Sequence, residues 1–198
     1  PEEYQDYSLQ ESLRAYFRQK NEESYREEMN KELKITDIGF DLGAAEKIFG
    51  KGKGFKNFIG LSIGTGIGMG IIINNGLYNG VLCGAGEVGM IPYKDGIMED
   101  YASGFFFTNT YKLSAMELSL RAAEGDKKAL ECFAEFGLHL GECIKAILYM
   151  FAPEAIILGG SISKSYPFFK EALETSLRSF AYQKQIQNLK IETSIFNI

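Results

Sequence analysis

The segment GLSIGTGIGMGIIINNGLYNG, residues 60–80, decides how this 198-residue chain is read. Phe58–Ile63 and residues 69–74 carry Ile, Leu and Gly and no charge, the texture of buried strands. The GTGIG between them is short enough to predict a hairpin turn. Alternating glycines let backbone N–H groups point inward together, and the Thr65 hydroxyl adds a donor. A turn of Gly64, Thr65 and Gly66 can therefore receive a phosphate oxyanion without a lysine. The same glycines would also serve a turn that only brings two strands close, and on these residues alone both readings stand. The pattern is not the dinucleotide fingerprint, because it leads into a strand rather than a helix. It is not a Walker loop either, since no Lys-Ser/Thr follows the last glycine.

Around this segment the composition is that of one large domain, or of a compact unit with a helical arm. Hydrophobic residues make up 45% of the chain and charged residues 24%, with 21 basic against 26 acidic side chains for a net charge of −5. An acidic balance argues against non-specific binding to nucleic acid. The acidic start and the lack of a long apolar run give neither a signal peptide nor a membrane span to read. Cys83, Cys132 and Cys143 form an odd set without CxxC spacing, which reads as reduced thiols in a cytoplasmic protein. A chain opening on Pro1 reads as a piece of something longer.

Residues 1–34 combine dense mixed charge with Leu9, Leu13, Phe17, Tyr25, Met29 and Leu33 at helical spacing, and Ser8 is placed to cap. They are expected to form an amphipathic helical segment, interrupted near Asn21. From Leu33 the texture turns to short strands and glycine: LKIT as a short strand, a short helix over DLGAAEKIFG, then the hairpin. Further on, SAMELSLRAAEGD predicts a helix ending at Gly125, and Asp126 caps a long helix through Phe151 that Pro153 stops. EAIILGGSIS is a buried strand running into a glycine pair, residues 168–180 form a helix, and LKIETSIF is a last strand.

GAGEVG (84–89), GIMEDYASG (96–104) and PEAIILGGSIS (153–163) follow residues 45–80 in order. Together, from about Leu33 to Ile198, they resemble the second half of the ROK family of bacterial sugar kinases, related open reading frames and sugar-responsive repressors. The resemblance implies the actin-like, hexokinase/ribonuclease H-like ATPase fold, in which two α/β lobes close around sugar and ATP with Mg²⁺. Residues 35–198 would be the second, C-terminal lobe with its long helices, and 1–34 a helical interlobe segment. The family's first lobe, with its DxGGT loop, has no counterpart here, and the glycine–alanine-rich helix after the last strand is missing, so a longer parent is expected. The assembly implied is a homodimer.

Site residues carry over one at a time. In the family's ExGH motif the Glu and His bind sugar hydroxyls and the His helps hold a zinc. Here the motif reads EVGM, keeping Glu87 and placing Met90 at the histidine. Glu99 matches the last Glu of CxCGxxGCxE, a second sugar contact, while Ile97 stands at the last zinc cysteine. No Cys or His lies between Met90 and Glu99, so zinc is expected to be absent. Glu87 and Glu99 could otherwise be ordinary solvated carboxylates. Gly159 and Gly160, after AIIL, would admit nucleotide phosphate or adenine, or merely cap a strand. His139 reads as a packing or surface residue, Cys132 and Cys143 as core, and Lys51, Lys53 and Lys56 as a solvated hairpin tip.

Phosphoryl transfer to a sugar needs a carboxylate to accept the hydroxyl proton. In the family this is the Asp of an NDANAAALGE-like segment, eight residues before the Glu. Matching that Glu to Glu46 puts Ile38 at the base position, with Asp37 one residue earlier. Asp37 serves only if the loop before it has slipped by one; otherwise it is a helix cap. The expected function is an ATP-dependent, glucokinase-like sugar kinase acting on a hexose or N-acetylhexosamine, with catalysis in doubt. The alternatives are a sugar-sensing effector domain of a ROK repressor, or a structural pseudo-kinase. Residues 1–34 lack the basic recognition helix of a DNA-binding segment.

Overall fold

Phe58–Ile63, which we call β1, is buried along all six of its residues. An uncharged strand of this kind belongs in the middle of a sheet covered on both faces. The computed structural model describes residues 38–81 and 84–196. The 1–34 segment, the LKIT stretch, Asp37 and Cys83 lie outside the described residues.

In chain order the elements are helix α1 (Ile38–Ile48), β1, β2 (Ile67–Ile73), β3 (Gly76–Tyr78), a two-stranded hairpin of β4 (Pro92–Tyr93) and β5 (Gly96–Ile97), and a five-residue helix α2 (Met98–Ala102). Then come α3 (Ala115–Ala123), the long α4 (Lys127–Phe151), β6 (Ala155–Gly159), α5 (Tyr166–Leu177), α6 (Gln183–Asn188) and β7 (Lys190–Thr193). Five strands form one sheet in the order β3-β2-β1-β6-β7. β1 runs antiparallel to β2 and parallel to β6, and β6 is parallel to β7.

Strand alternation sends Ile59, Leu61 and Ile63 to one face, with Ile156 and Leu158 of β6, into the main core. That core is completed by α4 and α5 through Phe133, Phe136, Leu140, Ile144, Phe169 and Leu173, and by Phe106 and Phe107. Gly137 and Gly141 let α5 lie close on α4: a methyl group at Gly137 would meet the Phe169 carbonyl at 2.5 Å. On the other face Phe58, Ile72, Ala155 and Ile157 form a smaller cluster. There α1 lies directly on the strands, with Gly39 against Gly68 and Met69, and Gly43 against Gly60 and Gly70.

The long helix begins where its cap predicts. Asp126 Oδ1 accepts the N–H groups of Lys128 and Ala129, and the helix ends at Ala152 in a left-handed conformation. Several boundaries differ from expectation: α1 starts at Ile38 rather than Asp41, and β7 ends at Thr193 rather than Phe196. β2 starts at Ile67, because the Ile63–Ile67 pair closes the ladder two residues earlier. α5 starts at Tyr166, since Pro167 suits a first helical turn. The lysines at 51 and 53 are not a hairpin tip. Lys51–Gly54 is a 3-10 turn after α1, pulled in by the buried Glu46, whose Oε2 accepts the Lys51 N–H at 2.8 Å. Glu46 Oε1 accepts the Ser194 hydroxyl at 2.5 Å, tying α1 to the end of β7. Among the described residues no helix is long and apolar enough to cross a membrane.

Candidate functional site

The 64–66 turn is held from three sides. Within it, Gly64 N–H donates to the Gly66 carbonyl at 2.9 Å. From α2, Glu99 Oε2 accepts the Ile67 N–H at 2.9 Å. From the residues after α2, Gly104 N–H donates to the Gly64 carbonyl at 2.7 Å. The buried Ser103 hydroxyl sits between the carbonyls of Glu99 and Thr65, at 2.7 and 3.0 Å. Glycine is favoured at two of these places: a methyl group on Gly66 would lie 2.4 Å from Glu99 Oε2 and displace that side chain, and one on Gly104 would lie 2.8 Å from the Gly64 carbonyl oxygen, which is backbone.

This bracing leaves a specific set of donors. The N–H groups of Thr65 and Gly66, and the Thr65 hydroxyl, have no hydrogen-bond partner among the described residues. Thr65 is exposed. A methyl group at Gly64 would meet nothing within 4 Å, so the outer side of the turn is open. Two adjacent unpaired N–H groups with a hydroxyl on the same turn are the kind of donors that anion-binding turns use.

The register places the second glycine pair beside the first. Ser62 pairs with Gly159, so β1 and β6 end side by side and the turns at 64–66 and 159–160 leave the same edge of the sheet. Gly160, at φ 79° and ψ 170°, packs on Ile63, where a methyl group would come 2.4 Å from the carbonyl oxygen. This edge, beyond the carboxyl ends of parallel strands, is where open α/β sheets bind ligands. Next to it lies an open groove of about 310 Å³ lined by Ser163, Lys164, Tyr166, Pro167, Thr193, Ser194 and Phe196. Ser163 Oγ donates to the Gly160 carbonyl at 2.7 Å, linking groove and glycine pair.

Glu99 is half-buried. One oxygen holds the hairpin, and Oε1 takes no hydrogen bond from the described residues. Glu87 is exposed and stands before the 3-10 turn Val88–Met90. It is flanked by Gly86, pressed on the Met69 carbonyl, and Gly89, where a methyl group would sit 3.3 Å from Glu99 Cβ. The chain segments carrying the two carboxylates thus pack against each other and against β2. Gly39, near the start of α1, meets Gly68, so the chain enters α1 at the hairpin end of the sheet. Asp37, just before Ile38, lies outside the described residues.

Met90 is exposed, and Ile97 is half-buried in β5, leading into α2. Among the described residues no group of three or more His, Cys, Asp and Glu is placed to hold a metal ion. His139 is a buried packing residue, and Cys132 and Cys143 are core thiols that burial pushes up to about 12. Sequence reasoning missed Ser103, Gly104 and the groove residues. The ASG after Tyr101 was the available signal for the first two; the groove comes from elements about thirty residues apart and leaves no local pattern.

The family model described as "ROK family" matches residues 22–196. The xylose repressor of Bacillus subtilis (strain 168) is 35% identical over 154 residues, covering 70% of this chain and 40% of that protein. A glucokinase of Streptomyces coelicolor is 28% identical over 183 residues, covering 70% of this chain and 57% of its own length. Two solved structures share the fold. A ROK family glucokinase from Streptomyces griseus, in complex with glucose and AMPPNP, superposes with a TM-score of 0.69 at 23% identity, covering 83% of this chain and 65% of that one. A ROK family transcriptional regulator, a homolog of E. coli MLC protein, gives 0.72 at 24%, covering 80% and 47%. The chain spans 40% to 57% of the two curated relatives.

Proposed function

The chain belongs to the ROK family, and from that premise we propose that it is the sugar- and nucleotide-binding second lobe of a glucokinase-like kinase, residues 35–198 forming that lobe and 1–34 an interlobe segment. The observation that carries the reading is the set of partnerless donors on the 64–66 turn, beside Gly159 and Gly160 at one sheet edge. In this reading Thr65 and Gly66 hold phosphate oxygens, while Gly64 leaves its side of the turn open. Gly159 and Gly160 allow the nucleotide to approach the backbone, and the neighbouring groove takes the rest of it.

Glu87 and Glu99 accept hydrogen bonds from the hydroxyls of a hexose or N-acetylhexosamine. MgATP supplies the phosphoryl group: the sugar oxygen forms the new bond to the γ-phosphorus as the bond to ADP breaks, and Asp37 takes the hydroxyl proton. The donor turn and the Glu99 carboxylate are held together by the bond from the Ile67 N–H to Glu99 Oε2. A cytoplasmic homodimer without zinc completes the proposal.

A coupled ADP-release assay on the intact protein with glucose, mannose and N-acetylhexosamines tests it. Sugar-dependent turnover, lost in Asp37→Asn, is the expected result. A second reading, a sugar-sensing effector domain, is favoured by the higher identity to the xylose repressor, 35% against 28% for the glucokinase. Sugar binding without turnover by the intact protein would select it over the kinase.

A further inference from the structure

The β4–β5 hairpin turns its side chains onto one buried histidine that the proposed chemistry does not use. His139, in the middle of α4, is 6% exposed. The rings of Tyr93, Tyr101 and Phe106 stand edge-on around it, with centroids at 5.7, 5.1 and 5.5 Å. Tyr93 and Tyr101 also meet edge-to-face at 5.2 Å. Both ring nitrogens have polar neighbours: Tyr93 Oη is 3.0 Å from Nδ1 and Lys94 Nζ is 3.4 Å from Nε2. An ammonium has no lone pair, so a bond at Nε2 requires the ring proton on Nδ1, which then donates to Tyr93 Oη. Lys94, at φ 52°, also holds its ammonium 4.9 Å from the Tyr101 ring centroid. The Tyr101 hydroxyl donates to Asp95 in the hairpin turn. The other charges facing the imidazole come from α4: Glu135, whose Oε1 is 3.8 Å from Nε2, and Glu142.

These contacts reach the site through α2. That helix has five residues, too few to hold its own shape in water, so packing must fix its place. Met98 and Ala102 bury one side of it, and Tyr101 presents its ring to His139 on another. Two residues before Tyr101 is Glu99, the carboxylate that holds the Ile67 N–H. We propose that His139, acting through Tyr93 and Tyr101, is a positioning residue that sets the Glu99 carboxylate on the 64–66 hairpin. The structural half of this needs no ligand. Only its consequence for sugar affinity rests on the reading of Glu99 as a sugar contact.

The test measures amide-exchange protection by NMR on the intact protein, for wild type, His139→Phe and Tyr93→Phe. The first variant keeps a ring and loses both nitrogens; the second removes only the hydroxyl. Both are expected to lower protection at the Ile67 amide by roughly tenfold, the scale of one hydrogen bond, while the β6 amides of Ile156 and Leu158 keep theirs. Sugar affinity is titrated in parallel with glucose, xylose and N-acetylglucosamine. In wild type the affinity is expected to fall with pH only below the ordinary histidine range, because burial and then Lys94 lower the His139 pKa, and in His139→Phe to lose that dependence, which a purely structural role would not produce. Unchanged Ile67 protection in both variants overturns the proposal, and so does an equal loss at Ile67 and in β6. Loss confined to Ile67, with no sugar bound by any form or with affinity unmoved, keeps the positioning role and removes Glu99 from the sugar site.

Discussion

Gly64 and Gly66 stand on one turn, but methyl groups added to them should have opposite consequences. At Gly66 the new carbon would lie 2.4 Å from Glu99 Oε2 and 3.2 Å from its Cδ. Glu99 is the movable partner, so it is pushed off the Ile67 N–H that it holds at 2.9 Å. A hydrogen bond to a charged acceptor contributes about 1.5–3 kcal/mol, and Glu99 is only half-buried, so the lower end applies. Gly66→Ala is therefore expected to lower Tm by roughly 3–6 °C and to weaken sugar binding. At Gly64 the methyl group meets nothing within 4 Å. Gly64→Ala should change stability by less than about 0.5 kcal/mol, yet weaken MgATP binding roughly tenfold by filling the open side of the turn. Thermal unfolding followed by circular dichroism, with nucleotide and sugar titrations by calorimetry, separates the two. Equal Tm losses in the two variants, or a Gly66→Ala protein whose Ile67 amide is as protected as wild type, would refute the steric argument.

Gly160→Ala forces a side chain into a backbone region close to glycine's own and against the Ile63 carbonyl; a loss of about 1–3 kcal/mol in urea unfolding is expected, and an unchanged midpoint would show that the strand ends relax freely. Glu46→Gln keeps shape but removes one of the two acceptors facing the Lys51 N–H and the Ser194 hydroxyl, so a loss of about 1–2 kcal/mol is expected by the same measurement. Burial first, then Lys94, lowers the His139 pKa below 6.5. The unfolded chain thus binds a proton that the folded one refuses, and stability should fall as pH drops from 6.5 through the folded pKa, a slope that His139→Phe removes.

The strands β1, β2 and β6, the long helix and its Asp126 cap were legible because each is a local pattern: uncharged runs rich in Ile, or a capping residue before a periodic stretch; the short β3, β4 and β5, of two or three residues each, were not read as strands. The adjacency of the two glycine pairs was not. It depends on Ser62 pairing with Gly159 across almost a hundred residues, and only the wider resemblance suggested that they serve one site. Glu99 could be picked out from its motif, but its attachment to Ile67 could not, because nothing in GIMEDYASG says which backbone amide the carboxylate meets. Glu46 entered the alignment as a landmark, and the structure gives it a bond to Ser194 that no spacing foretells. The sequence left His139 as a packing or a surface residue, and the structure buries it. Its partners come from a hairpin about forty-five residues away.

Mapping backbone amide shifts of the intact protein on addition of MgATP, and then of glucose, tests most directly whether the 64–66 turn and the 159–160 pair hold a nucleotide beside a sugar. MgATP should move Thr65, Gly66, Gly160 and Ser161 together, and glucose should move Ile67, Val88 and Gly89. Nucleotide shifts that spare both glycine turns, or glucose shifts on the opposite edge of the sheet near Glu154 and Lys190, would contradict it.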